Sequence, residues 1–287
     1  GLIRFYFDKY YYLAAKDCEF KSVERVSKFD FTKQIFDGEF RDFAPNGNRM
    51  LVGNYKDGKK EGLFQAFHPN GVLKWEINFK DNYPIGDCKY YYPDGKPLLT
   101  ISYGDFGYFI KDYWDNRGKQ EVVDGEGNYE FAIPFEGFTE FGYDFYLRKG
   151  KVKGGRPQGN WNTYFYNVGQ QPIYAMTQRF DSGKITATYD DNGELPSEDF
   201  QSLSILPYDY FVRAELLQSK SCSFDDYSNF YAFLAKRFTD GISKSGIEIT
   251  SQLNFSYDVE VKKTGLVNLR SLKLNVNSNN ENYHHIL

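Results

Sequence analysis

Several residue types are scarce in this chain, and each scarcity excludes something. Among 287 residues there are three cysteines, two methionines and three histidines. Cys18, Cys88 and Cys222 lie far apart, form no Cys-x-x-Cys pair and show no metal-ligand spacing, so a zinc module and a dense disulfide scaffold are both excluded. Buried free thiols are the expected state, with a disulfide between two of the three as the alternative. No apolar run approaches the roughly 18 residues of a membrane span, so no integral membrane segment is expected. The opening Gly1-Leu2-Ile3-Arg4 does not read as a signal peptide, which leaves a removed leader or lipid anchor open. The formal net charge of −4 gives no basic footprint for nucleic acid and disfavours anionic membrane surfaces.

Catalytic signatures are missing too. No Gly-x-Ser-x-Gly elbow, phosphate-binding loop or His-Glu-x-x-His motif occurs. His68 falls at a strand end, where a structural role is expected, and His284-His285 reads as a solvated tail. Thr188 to Asp199 imitates part of a calcium loop, but threonine holds the first ligand position and no glutamate closes it, so a plain turn is expected. The expectation is a non-enzyme with no catalytic, cofactor or metal residues.

What the chain has in plenty is aromatic side chains, 19% of residues, carried by 27 Phe and 25 Tyr. Tyrosine joins a large apolar ring to a polar tip and suits half-buried surfaces. These aromatics fall into a register. Gly38, Gly62 and Gly86 are 24 residues apart, as are Asn46-Gly47, Asn70-Gly71 and Asp94-Gly95. Tyr55, Phe79 and Tyr103 keep the same step, and so do Asp57, Asp81 and Asp105. A fixed period in this range marks stacked supersecondary units. Asn-Gly and Asp-Gly tolerate the positive φ of tight hairpin turns, and strand-length segments with period-two patterning lie between them. Leu73, Trp75, Ile77 and Phe79 share one face, while Phe64 and Ala66 oppose Leu63, Gln65 and Phe67. Helical spacing is absent from Gly38 to Gly118.

The expected fold is mainly β, an elongated antiparallel single-layer meander of hairpin repeats. Copies at 37–60, 61–84 and 85–107 are clear, 108–128 is degenerate, and a lengthened copy ends near Lys184. Equivalent residues form columns: Phe40, Phe64 and Cys88 in one, Phe43, Phe67 and Tyr91 in another. The aspartate column needs no ligand, because aspartate is an ordinary turn residue.

The run Tyr55-x-Asp57-Gly58-Lys59-x-x-Gly62, then Phe67-x-Pro69-Asn70-Gly71 and Tyr90-Tyr91-Tyr92-Pro93-Asp94-Gly95, resembles the MORN-type repeats of the bacterial YwqK-like antitoxin family. The likeness covers about 37–184. It implies a single-layer sheet and the binding of a protein partner. Tyr6-Phe7-Asp8-Lys9-Tyr10 resembles the lead-in to such repeats in envelope proteins of Bacteroidetes-like bacteria, which implies a periplasmic or envelope location.

Beyond a polar linker at Asp190–Ser197, apolar residues at three- and four-residue steps predict helices over Tyr208–Ser219 and Asp225–Phe238. Two alternating strands follow near Ile249–Val261 and Leu266–Val276, giving a small α+β unit. Asn229 to Phe238 and Leu253 to Val259 resemble the first helix and first strand of the TonB C-terminal domain, whose second helix and last strand have no counterpart here. The expected organisation is a lead-in at 1–36, repeats at 37–189 and the α+β unit at 200–287. The expected function is a non-catalytic interaction module docking a protein on Phe43, Phe67 and Tyr91. Carbohydrate binding through exposed rings is the alternative.

Overall fold

The computed structural model describes residues 1–104, 107–135, 142–196, 203–207, 215–219, 222, 253–261 and 267–276. The chain divides into two compact units, Gly1–Glu136 with Tyr143–Asp225, and Gly137–Gly142 with Asp226–Leu287.

The first unit is a sheet of eighteen strands. The lead-in supplies β1 (Ile3–Phe7), β2 (Leu13–Ala14) and β3 (Val23–Asp30). The clear repeats supply β4 (Ile35–Phe43), β5 (Arg49–Lys56), β6 (Lys59–Lys60), β7 (Gly62–Phe67), β8 (Leu73–Lys80), β9 (Tyr83–Tyr91) and β10 (Pro97–Gly104). Next come β11 (Gly107–Trp114), β12 (Gln120–Val123), β13 (Glu126–Pro134), β14 (Phe145–Lys153) and β15 (Arg156–Tyr166). The last three are β16 (Ile173–Asp181), β17 (Lys184–Asp190) and β18 (Gly193–Glu194). Successive strands pair antiparallel along the chain, except that β1 lies between β2 and β3 and β5 pairs with both β6 and β7. The meander read from the repeats is therefore present, and the lead-in strands join the same sheet.

Two turn types alternate, and both explain the repeat columns. Two-residue turns at Asp57-Gly58, Asp81-Asn82, Asp124-Gly125, Gly154-Gly155 and Ser182-Gly183 have positive φ at both positions, as type I′ hairpins require. Asp57 and Asp81 are exposed first residues of such turns, with φ of 51° and 50°. Asp105 lies outside the described residues. Wider turns run from Ala44 to Asn48, His68 to Val72 and Tyr92 to Lys96; each is closed by an N–H···O bond of 2.8–2.9 Å between its end residues. Asn48 Nδ2 donates to Pro69 O at 2.9 Å and Asn70 Nδ2 to Pro93 O at 2.8 Å, tying each turn to the next.

Glycines in the repeat strands open bulges. Gly38, Gly86 and Gly159, at φ of +98°, +69° and +70°, sit where three residues of one strand oppose a single residue of its neighbour. A side chain there would force a left-handed conformation that only glycine adopts freely.

Alternation then sends one face of the sheet inward. Phe40, Phe64 and Cys88 are each no more than 1% exposed, and Trp75, Ile77 and Phe79 are buried with them. Phe40 packs on Phe64 at 5.4 Å between ring centroids, and Phe64 on Phe79 at 4.9 Å. Within this core lies an ion pair with both side chains fully buried. Arg25 Nε and Nη2 donate to Asp42 Oδ1 and Oδ2 at 2.7 and 2.8 Å, and Tyr11 Oη donates to Oδ2 at 3.1 Å. The guanidinium is ringed by Phe40 at 4.2 Å, Phe36 at 5.1 Å and Phe7 at 5.4 Å. Burial is the largest influence on its pKa and pulls it down, but the charge and hydrogen bonds of Asp42, together with Tyr55 and Tyr11, outweigh burial and raise it.

The chain returns over this inner face after β18. Tyr129 Oη donates to Ile205 O at 2.7 Å, and Arg148 Nη1 to Leu203 O at 3.1 Å. The Glu215 carboxylate meets the Lys60 ammonium and the Tyr55 hydroxyl. Leu13 N–H donates to Gln218 O at 2.7 Å. Cys18 and Cys222, 204 residues apart, form a disulfide, while Cys88 is buried and outside it. The first expectation, buried free thiols, gives way to its alternative, a disulfide between two of the three cysteines. Spacing along the chain could not show that Gln218, Ser219 and Cys222 come back to Leu13 and Cys18 of the lead-in.

Two other expectations change. Half of the 190–197 linker is a hairpin: Asp190 pairs with Gly193, and Asn192 N–H donates to Asp190 Oδ1 at 2.7 Å. Thr188, the first position of the imitated calcium loop, is buried at 1% exposure. The first predicted helix does not run through Ser219, because Leu217 takes a φ of +46° and Ser219 bridges Leu13. The second predicted helix lies outside the described residues. The second unit contains the hairpin expected there, β19 (Leu253–Val261) paired antiparallel with β20 (Val267–Val276).

Candidate interaction surface

The face opposite the core carries Phe43, Phe67 and Tyr91, all half-buried. Each occupies the last position of its strand, next to a wide turn, and there each pairs across the sheet with Arg49, Leu73 and Pro97 respectively. The neighbouring strand carries one extra residue just beyond each pair: Met50, Lys74 and Leu98, again 24 apart. This second bulge fixes how the turn-proximal rim of each repeat leaves the sheet.

The three aromatics do not touch one another; polar side chains join them. The Arg49 guanidinium, opposite Phe43, lies 5.5 Å from the Phe67 ring. Tyr91 Oη donates to Glu76 Oε1 at 3.2 Å, and Gln65 Nε2 donates to Glu76 Oε2 at 3.3 Å. Burial, helped by the Glu76 charge, raises the Tyr91 pKa. His68 Nε2 lies 2.9 Å from Tyr91 O, so this histidine braces the rim of the sheet. A sugar stacking on Phe67 would need the ring face that Arg49 covers.

Farther along the same face, Asp87 accepts from Ser102 Oγ and from Lys111 Nζ at 3.0 Å. Those bonds hold its carboxyl below the usual range, the Ser102 hydroxyl most strongly. Exposed Leu63 and Ile85 flank Asn78. At the other end, Phe43 borders an open groove of about 630 Å³ with Tyr6, Val26, Arg41, Glu24 and Pro45. Four of its charges are paired, Arg4 with Glu24 and Arg41 with Glu39 at 3.6 Å, and Lys21 adds a further cation. The surface is thus a mixed one, with aromatic islands in a polar field that carries charges of both signs. That composition is typical of non-obligate protein interfaces, where aromatics and arginine are enriched.

Sequence reasoning located the column but missed what supports it. Arg49 and Glu76 carry no repeat signature. Arg25 and Asp42 could have been found, because both stand at apolar positions of the strand alternation, two residues from Val23 and Phe40.

A family model described as MORN repeat variant matches residues 60–81 and 84–105. The match falls on β6 to β10, the strands that carry Phe67 and Tyr91. No curated protein matches the chain. These two segments are therefore similar to MORN-type repeats, a class of repeat generally involved in protein or membrane interaction. Among the described residues no helix is long and apolar enough to cross a membrane.

Proposed function

We propose that this chain is a non-catalytic docking module that binds a protein partner on the outer face of its repeat sheet. The carrying observation is the division of aromatics between the faces. Phe40, Phe64 and Cys88 are consumed by the core, whereas Phe43, Phe67 and Tyr91, three residues farther along each strand, stay half-exposed in a regular row. A row spaced by the repeat offers several equivalent anchors to one partner, and buried aromatic anchors dominate interface energetics. The mixed charge of the surrounding face favours a partner of mixed polarity over a polyanion.

The YwqK-like family, the TonB-like second unit and a place in the bacterial cell envelope belong to the same reading. The disulfide between Cys18 and Cys222 supports the location, since such bonds persist in oxidising compartments such as the periplasm.

The test is affinity capture from a bacterial envelope extract, with the parent chain beside Phe43→Ser/Phe67→Ser/Tyr91→Ser, the variant first confirmed folded by circular dichroism. A protein retained by the parent and lost by the variant is the expected result. Equal retention by both, or no retained protein, would overturn docking at this column.

A further inference from the structure

The inner face holds a second buried arginine, Arg148 on β14, fully shielded from solvent like Arg25 on β3. The two stand in corresponding places. Arg25 pairs across the sheet with Asp42 and Arg148 with Thr163. Asp42 lies two residues after Phe40 and four after Gly38; Thr163 lies two after Trp161 and four after Gly159, in the same bulge register. Threonine thus occupies, in the last repeat, the position that aspartate holds in the first.

The consequence falls on one edge of the guanidinium. In Arg25, the Nε and Nη2 protons point at the two oxygens of Asp42. In Arg148 those same two atoms, Nε and Nη2, have no hydrogen-bond partner among the described residues, and neither has Thr163 Oγ1. Arg148 Nη1 donates to Leu203 O at 3.1 Å, and the rings of Trp161 and Phe180 lie 6.0 and 5.9 Å away. The ionisable groups that bear on it are the hydroxyls of Tyr146, Tyr108 and Tyr129, with no carboxylate among the described residues. Burial pulls the Arg148 pKa down to about 10, which still leaves it charged at neutral pH. A buried, unpaired cation is a costly feature that calls for a counter-ion.

We infer that the Nε–Nη2 edge of Arg148, with Thr163 across the strand pair, is a carboxylate-binding site beneath residues 203–207. The chain itself supplies the template: in its first repeat the same edge takes a carboxylate in a two-pronged grip, the geometry a guanidinium fork favours. A monoanion balances the single buried charge, whereas a phosphate dianion would bury an excess of one. Entry requires residues 203–207 to lift, because Arg148 has no exposed surface. The carboxylate comes from a small organic acid or from an acidic side chain of a bound protein. The inference is independent of the outer-face column.

Thermal melts of the full chain test it, with sodium formate or the capped peptide acetyl-Gly-Asp-Gly-amide titrated against sodium chloride at matched ionic strength. Formate at several times its dissociation constant is expected to raise the parent Tm by about 2–4 °C over chloride. Thr163→Asp rebuilds the Arg25–Asp42 arrangement, so it is expected to melt higher than the parent and to lose the formate response. Arg148→Met is expected to lose that response too, and Thr163→Asp keeps the test decisive if Arg148→Met fails to fold. A peptide effect at lower concentration than formate identifies an acidic protein segment as the source; a formate effect alone identifies a small acid. If neither compound differs from chloride, or if Thr163→Asp responds like the parent, the site does not exist.

Discussion

Replacing Asp42 with asparagine keeps the shape of the side chain and removes its charge from beside a guanidinium that has no solvent exposure. Arg25 loses the anion that takes both its Nε and Nη2 protons, and one amide N–H now points at another donor. Tyr11, which also donates to Asp42, loses a charged acceptor. The rings of Phe7, Phe36 and Phe40 supply partial compensation through their faces but no hydrogen-bond acceptor. Removing one partner of a buried pair costs about 3–5 kcal/mol, a large share of the roughly 5–15 kcal/mol that stabilises a typical domain. At about 2–4 °C per kcal/mol for a unit of this size, the midpoint should fall by about 6–20 °C. Calorimetry or circular-dichroism melts of Asp42→Asn read this directly. The double variant Arg25→Met/Asp42→Leu should recover most of the loss, since a well-packed apolar pair can replace a buried ion pair. A single-variant cost below about 1 kcal/mol, or a double variant no better than the single, would refute the reasoning.

Breaking the Cys18–Cys222 bond by substituting both cysteines with serine frees a loop of 204 residues. Chain-entropy arithmetic puts the loss at about 5 kcal/mol, and limited proteolysis should cut first within the returning segment after β18; unchanged melting and cleavage would show that the segment holds without the disulfide. Gly150→Ala places a methyl group 2.4 Å from the Trp161 indole, which is fully buried and donates to Lys151 O at 3.0 Å. A destabilisation of about 1–3 kcal/mol is expected in denaturant titrations, and none if Gly150 does not lie under that ring. Burial holds the hydroxyls of Tyr55, Tyr113 and Tyr129 well above their ordinary value near 10, and pushes Tyr103 up to about 12. Because these folded values exceed the unfolded ones, their contribution is complete below pH 10 and is lost as pH rises toward and through the folded values. Melts from pH 7 to 12, followed together with tyrosinate absorbance, should show stability falling only from about pH 10 upward; buried tyrosines ionising at ordinary pH in the folded chain would contradict this.

Much of the sheet was legible because the repeat writes its geometry in residue types. Asp57, Asp81 and the glycines beside the turns mark positions of positive φ, and Phe64, Ala66, Trp75 and Ile77 mark the buried face through simple alternation. What stayed hidden depends on contacts distant in the chain. The disulfide and the Lys60–Glu215 pair form only because Glu215 and Cys222 come back to the sheet, and no local pattern announces a contact over that length of chain. The bulges at Gly38 and Gly86 were visible as a period but not as bulges, since a strand-interior glycine and a bulge glycine look alike in sequence. The column of Phe43, Phe67 and Tyr91 was legible as a row, while its polar supports Arg49 and Glu76 follow from cross-strand register alone.

Hydroxyl-radical footprinting of the free chain, and of the chain bound to the protein it retains from envelope extract, reads both faces of the sheet at once. Phe40 and Phe64 should resist oxidation in both states, while Phe43, Phe67 and Tyr91 should react in the free chain and become protected together on binding. Protection elsewhere with that row still reactive, or oxidation of Phe40 and Phe64 as fast as Phe43, would contradict a sheet with one face for the core and one for a partner.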